Sequence, residues 1–184
     1  PLFGTNASGK SSLQKAVGLN IIMAQSGFYV PCDSLILSPY KKLFTRIIND
    51  DNLFKGMSTF QKEMTELGSI TNQICSRSIV LGDELCSGTE KNSAVAIFTS
   101  SIDYIVKKDA HFIFATHFHD IMNQKEIIEN PKITSYHLTV KYNPETDVMV
   151  YDRILMEGPG GQNYGIEVCK NCGNLPNELI TLTP

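Results

Sequence analysis

The sequence predicts an α/β fold, with a mostly parallel sheet flanked by helices. Three observations carry this expectation. Short apolar runs rich in β-branched and aromatic residues, Ile79-Val80-Leu81 and Phe112-Ile113-Phe114-Ala115, lack the alternation of half-exposed strands. That is the pattern of strands covered on both faces. Stretches with helical apolar spacing alternate with these runs along the chain, as parallel crossovers require. The stretch Gly4-Thr5-Asn6-Ala7-Ser8-Gly9-Lys10-Ser11 fits G-x-x-x-x-G-K-[ST], a loop set between a strand and a helix.

The elements follow in order. Leu13, Val17, Ile21 and Ala24 stripe a first helix from Lys10 to about Gln25, which Gly27 ends. Phe28 to Pro31 leads out extended, and Leu35-Ile36-Leu37 and Leu43 to Ile48 read as short strands. Asn49 to Asn52 marks a turn. A second helix starts at Ser58, capped by Ser58 or Thr59 with Glu63 in its first turns, and runs to about Arg77. Strand Ile79–Leu81, a third helix from Ser93 to Lys107, and strand Phe112–Ala115 come next. Thr134 to Lys141 and Val148 to Leu155 form an expected hairpin turning at Asn143-Pro144. A helical pair follows from Tyr164, broken at Gly173-Asn174.

The 184 residues suffice for one domain with a full core, and 42% hydrophobic against 19% charged residues excludes a disordered chain. No apolar run approaches the roughly 18 residues of a membrane span. A net charge of −3 argues against a basic duplex-gripping groove in this segment. Five scattered cysteines point to a reducing interior. Cys169 and Cys172 stand at half of a zinc-site spacing, without a second pair or a nearby histidine, and read as buried small residues. No start methionine or signal peptide is visible, and only Pro1-Leu2-Phe3 precede the loop where a whole core strand is expected. A longer parent protein is therefore expected.

The chemistry gathers at strand ends. Backbone N–H groups from Gly4 through Ser12 would hold phosphate oxygens, and Lys10 adds a point charge for the β- and γ-phosphates. The Ser11 hydroxyl can ligand Mg²⁺, with Asp83 sharing the ion. Glu84, the second acid after the strand, is placed to polarise an attacking water. His117, at the tip of the next strand, can reach the γ-phosphate or that water, with His119 as a competitor one step further out. A serine opening a helix between the two nucleotide elements, Ser58, suits a contact to phosphate held by a second protomer, though an ordinary cap has the same composition. Leu85 to Glu90 is a Gly/Ser turn, a plain loop or a contact across a dimer.

In order, these segments resemble the ATPase domain, domain V, of the MutS family of DNA mismatch-recognition proteins. The matches are the phosphate loop with Asn6; Met23-Ala24-Gln25-Ser26-Gly27-Phe28-Tyr29-Val30-Pro31; Phe44-Thr45-Arg46-Ile47 with Asp50-Asp51; and Ser58-Thr59-Phe60 with Glu63-Met64. They continue with Asp83-Glu84-Leu85 and Gly88-Thr89, Ala115-Thr116-His117-Phe118, and Tyr164-Gly165-Ile166-Glu167-Val168 with Gly173, Leu175 and Pro176. The phosphate-loop wording is similar to the branch found in giant viruses and octocoral mitochondria. The resemblance implies a P-loop NTPase of ABC-ATPase type over 1–157 and a dimerising helix-turn-helix over 158–184. It implies ATP and Mg²⁺ as ligands, with phosphates held by Gly4, Thr5, Asn6, Ala7, Ser8, Gly9, Lys10, Ser11 and Ser12. It also implies Ser58 acting in trans, Ser11 and Asp83 on the metal, and Glu84, His117 and Lys10 in catalysis. The implied partners are a second MutS-type subunit, mismatched DNA held by domains outside this chain, and a MutL-type or nuclease protein, with no membrane. Ala7-Ser8, Cys86-Ser87, Cys169, Cys172 and Gly82 depart from the usual Met-Gly, Gly-Arg, alanines and Met. Two other readings are another ABC-type ATPase, which lacks its L-S-G-G-Q-like signature here, and a nucleotide-gated dimerisation module with little turnover.

Overall fold

The computed structural model describes residues 1–5, 8–47, 59–86, 88–143, 146 and 148–161. Among the described residues the main strands are β1 (Leu2–Phe3), β2 (Lys42–Arg46), β3 (Ser78–Asp83), β4 (His111–Ala115), β5 (Tyr136–Leu138) and β8 (Leu155–Glu157). They form a six-stranded sheet ordered β2-β3-β4-β1-β5-β8, parallel except for its last strand. A separate ribbon joins β6 (Lys141–Asn143) to β7 (Val148–Val150). The helices are α1 (Lys10–Gln25), α2 (Thr59–Gln73), α3 (Lys91–Lys107) and the short α4 (Lys125–Ile128), with a 3₁₀ turn at His119–Asn123.

β3 explains the layering. All six of its residues are buried. Successive side chains point to opposite faces, so Ile79 and Leu81 meet Ile21 of α1 on one face. Val80 faces the other way, into the larger core with Leu67 and Ile70 of α2, Ile74 just beyond its end, and Phe98, Ile102 and Ile105 of α3. At Gly18 a Cβ would stand 2.9 Å from Leu81 Cδ1, so the glycine lets α1 lie close on the sheet.

Several boundaries differ from the sequence reading. Leu35-Ile36-Leu37 forms no strand, and Ile36 is 99% exposed. Burial, which stabilises an apolar strand, is absent there. The segment is instead bracketed at its end by Gln25, whose side chain bonds both the N–H and the carbonyl of Tyr40. α2 stops at Gln73 and not near Arg77, because the chain turns into β3 through Ser78 N–H to the Cys75 carbonyl and Cys75 N–H to Ser78 Oγ. α3 starts two residues early, with Ser93 Oγ donating to Glu90. The expected hairpin is two short ladders, β5–β8 and β6–β7, interrupted where Arg153 takes φ 56 and its N–H donates to Thr139. The expected turn at Asn49–Asn52, Ser58, and the C-terminal helical pair with Cys169 and Cys172 lie outside the described residues. Among the described residues, no helix is long and apolar enough to cross a membrane.

Candidate functional site

Parallel register sets three strand ends side by side. Leu2 of β1 lies opposite Ala115 of β4, and Ala115 lies opposite Asp83 of β3. The loops leaving β1, β3 and β4 therefore open on one edge of the sheet, where parallel sheets place ligands. A cleft of about 350 Å³ opens there, lined by Thr5, Ser8, Gly9, Lys10, Ser11, Ser12, Leu13, Glu84, Leu138 and Arg153.

The phosphate loop turns on its glycines. Gly9 has φ 104 and precedes α1 directly. Gly4 has φ 150, and a Cβ there would come within 2.6 Å of Ser8 Oγ. Asn6 and Ala7 lie outside the described residues. The hydroxyls Thr5 Oγ1 and Ser8 Oγ are buried and have no hydrogen-bond partner among the described residues. Buried polar groups normally find one, and both residues line the cleft.

Lys10 is 4% exposed, and its Nζ donates to the carbonyls of Gly4 at 2.7 Å and Thr5 at 3.0 Å. Burial lowers its pKa, while Glu84 and Asp83 act in the opposite direction. The Ser11 hydroxyl donates to Asp83 Oδ2. Glu84 Oε1 and His117 Nε2 are 2.7 Å apart, and Lys10 Nζ lies 3.4 Å from the same nitrogen. An ionised carboxylate only accepts, so Nε2 serves Glu84 as a donor and is then closed to Lys10. The structure thus sets the Ser11–Asp83 pair and the Glu84–His117 pair side by side at the strand ends, with Lys10 Nζ next to His117.

His119, the alternative to His117, plays a packing part. Its ring stacks on Phe3 with centroids 5.0 Å apart, and burial lowers its pKa.

Three contributions escaped sequence reasoning. Gln14, fully buried, donates from Nε2 to the carbonyls of Gly82 at 2.6 Å and Ile113 at 3.1 Å. It braces α1, one turn after Lys10, against both strands that carry acid and histidine. Arg153 and Leu138 come from the hairpin, and Arg153 Cδ would lie 3.7 Å from a Cβ at Gly9. Neither sits in a recognisable motif. Arg46 and Glu63 belong to motifs, but their pairing at 3.0 Å is a fact of packing.

The MutS domain V profile matches residues 2–183. A MutS homologue of Acanthamoeba polyphaga mimivirus, named as a DNA mismatch repair protein, is 43% identical over 172 residues, covering 92% of this chain and 15% of the viral protein. The mitochondrial DNA mismatch repair MutS homologue of the octocoral Sarcophyton glaucum is 41% identical over 167 residues, covering 91% of this chain and 16% of that protein. The DNA mismatch repair protein MutS of Chlorobium chlorochromatii is 36% identical over 179 residues, 97% of this chain and 20% of that protein. The chain thus spans only 15 to 20% of the length of these relatives. The higher identities fall on the viral and octocoral proteins, as the phosphate-loop wording leads one to expect. Motif order, the strand-end site and a profile match across almost the whole length make this chain a member of the MutS domain V family.

Proposed function

We propose that this chain is the ATP-binding and ATP-hydrolysing module of a longer MutS-type DNA mismatch repair protein. It works as an ABC-type ATPase that couples turnover to clamp movement on mismatched DNA. The observation that carries this reading is the convergence of Lys10, Ser11, Asp83, Glu84 and His117 at the ends of adjacent parallel strands. The names and lengths of the relatives support the larger setting.

The residues present fit Mg²⁺. Ser11 and Asp83 offer adjacent oxygen donors, the hard set that Mg²⁺ prefers when substrate phosphates and water complete its shell. Among the described residues no group of three or more His, Cys, Asp or Glu forms a cage of its own. When bound, the ion would neutralise charge on the β- and γ-phosphates. Lys10 would leave the Gly4 and Thr5 carbonyls for phosphate oxygens, a short exchange of one set of acceptors for another. Thr5, Ser8, Gly9 and Ser12 line the same cleft, and Asn6 and Ala7 complete the loop in sequence. Glu84 takes the proton of the attacking water, and His117, bonded to Glu84, holds that carboxylate and senses the γ-phosphate. Arg153 adds a cation beside the loop.

The reading extends to a dimer. Ser58 would complete the partner's site in trans, and the helix-turn-helix over 158–184 would join the subunits, with 1–157 as the ATPase body. Mismatched DNA would be gripped elsewhere in the parent, and a MutL-type or nuclease protein would follow. A reducing interior is proposed as the compartment.

The test is Mg²⁺-ATP hydrolysis by the full-length protein with homoduplex or mismatched DNA. Glu84→Gln is expected to keep ATP binding and lose ~10²-fold or more in turnover, and Ser58→Ala to lose the mismatch response. Equal hydrolysis by Glu84→Gln and the parent would remove Glu84 from its role. ATP-dependent dimerisation without phosphate release would favour the gated module instead.

A further inference from the structure

The turn after Asp83 has an unusual backbone. Glu84 has φ 46 and Cys86 φ 68, both in the left-handed region that side-chain-bearing residues avoid. Such a turn persists only where its surroundings hold it. Glu84 N–H is held by the Ala115 carbonyl at 3.1 Å. Cys86 N–H donates to Glu63 Oε1 at 2.8 Å. Gly88 closes on the first turn of α2, where a Cβ would stand 3.3 Å from Phe60 N.

Glu63 itself is fully buried on α2, an unfavourable place for a carboxylate unless it is paired. Its partner is Arg46 of β2 at 3.0 Å, whose Nη1 also donates to the Asp83 carbonyl at 3.4 Å. Arg46 Nε also faces Glu66 at 3.3 Å. A buried ion pair is weak evidence of stability, because apolar residues of the same volume often pack as well. What an apolar pair cannot do is accept the Cys86 N–H. Neither Arg46 nor Glu63 lines the cleft.

We propose that Glu63, backed by Arg46, is a positioning residue for ATP hydrolysis: it holds the Cys86 amide and thereby the left-handed turn that aims the Glu84 carboxylate. The inference rests on the ATPase reading above. It also ties the first turns of α2 to the acid of the site. The contact joins β2, α2 and the Asp83–Cys86 turn through two side chains.

The experiment compares the full-length protein with an Arg46→Met/Glu63→Leu double variant and with Glu63→Gln, measuring ATP affinity and kcat separately. The double variant removes the acceptor without stranding a buried charge, so it is expected to fold. It should bind ATP within about twofold of the parent, because the phosphate loop and α1 are untouched, while kcat falls at least tenfold. Glu63→Gln keeps an oxygen that can accept the Cys86 N–H and should recover most of that loss. Turnover of the double variant within twofold of the parent overturns the proposal. A parallel loss of affinity and kcat, or a Gln variant no better than the double, also overturns it, since either marks a merely structural pair. An inactive parent overturns the ATPase reading itself, and this inference with it.

Discussion

Replacing Gly82 by alanine is expected to destabilise the fold, although alanine is the better residue in most strands. Gly82 faces Phe114 across the β3–β4 pair, and an added Cβ would lie 2.3 Å from two atoms of that ring. The ring cannot step aside easily. Phe114 is 1% exposed and lies 5.7 Å from Phe98 and 5.6 Å from Phe112, centroid to centroid. Overpacking of this kind costs roughly 1–3 kcal/mol. The lower chain entropy of alanine in the unfolded state offsets roughly 0.5–1 kcal/mol. The net loss lies between about 0 and 2.5 kcal/mol, with a midpoint of about 1.2 kcal/mol, or roughly 2–5 °C in Tm at this chain length. Phe114→Ala alone should cost about 3–5 kcal/mol through the cavity it leaves. With the ring gone, Gly82→Ala has nothing to strike and should be neutral or stabilising. The double-mutant cycle by urea unfolding should therefore show coupling of about 1–3 kcal/mol in the relieving direction. Equal stability of Gly82→Ala and the parent, or strict additivity in the cycle, would refute the argument that Phe114 occupies the space a side chain at 82 would need. Under the proposed function the strain also reaches the site, since Gly82 precedes Asp83 and its carbonyl receives Gln14.

Two further expectations follow from buried polar groups. Gln14→Leu removes two donors that brace α1 against β3 and β4; at about 0.5–1.5 kcal/mol each, unfolding free energy should drop by about 1–3 kcal/mol and ATP affinity with it, and an unchanged denaturation midpoint would show that Gln14 is no strut. Burial pushes the Cys86 thiol up from 9.0 to about 12. Its folded pKa is raised, so stability is complete below the unfolded value and falls as the unfolded thiol ionises first. Between pH 9.0 and about 12 the slope should reach about 1.4 kcal/mol per pH unit from this group. Alkaline unfolding of Cys86→Ala that retains the same slope would assign the loss to other groups.

Much of this architecture was legible in the chain. The lack of alternation in Ile79–Leu81 and Phe112–Ala115 marked strands covered on both faces, and they are. The Gly4–Ser11 spacing and Glu84 at a strand tip located the cleft and most of its polar lining, with Asp83 and His117 beside it in contact with Ser11 and Glu84. Local sequence suffices there because a phosphate loop is built from consecutive backbone N–H groups, and the end of β3 delivers both acids in adjacent positions. Other features needed the fold. Leu35–Leu37 has strand composition, but no covering layer buries it. Arg153 reaches Gly9 only because the hairpin folds back over the loop. Gln14 and Glu63 are polar residues on amphipathic helices, which a sequence reading assigns to solvent as readily as to a core. Their partners, Gly82, Ile113, Arg46 and Cys86, stand far along the chain or on another element. The sequence by itself determined the strand-end residues on which the proposed chemistry rests. Only tertiary packing decided how they are held, because the worth of a buried polar contact depends on distant partners and on the removal of water, and neither is written in a local pattern.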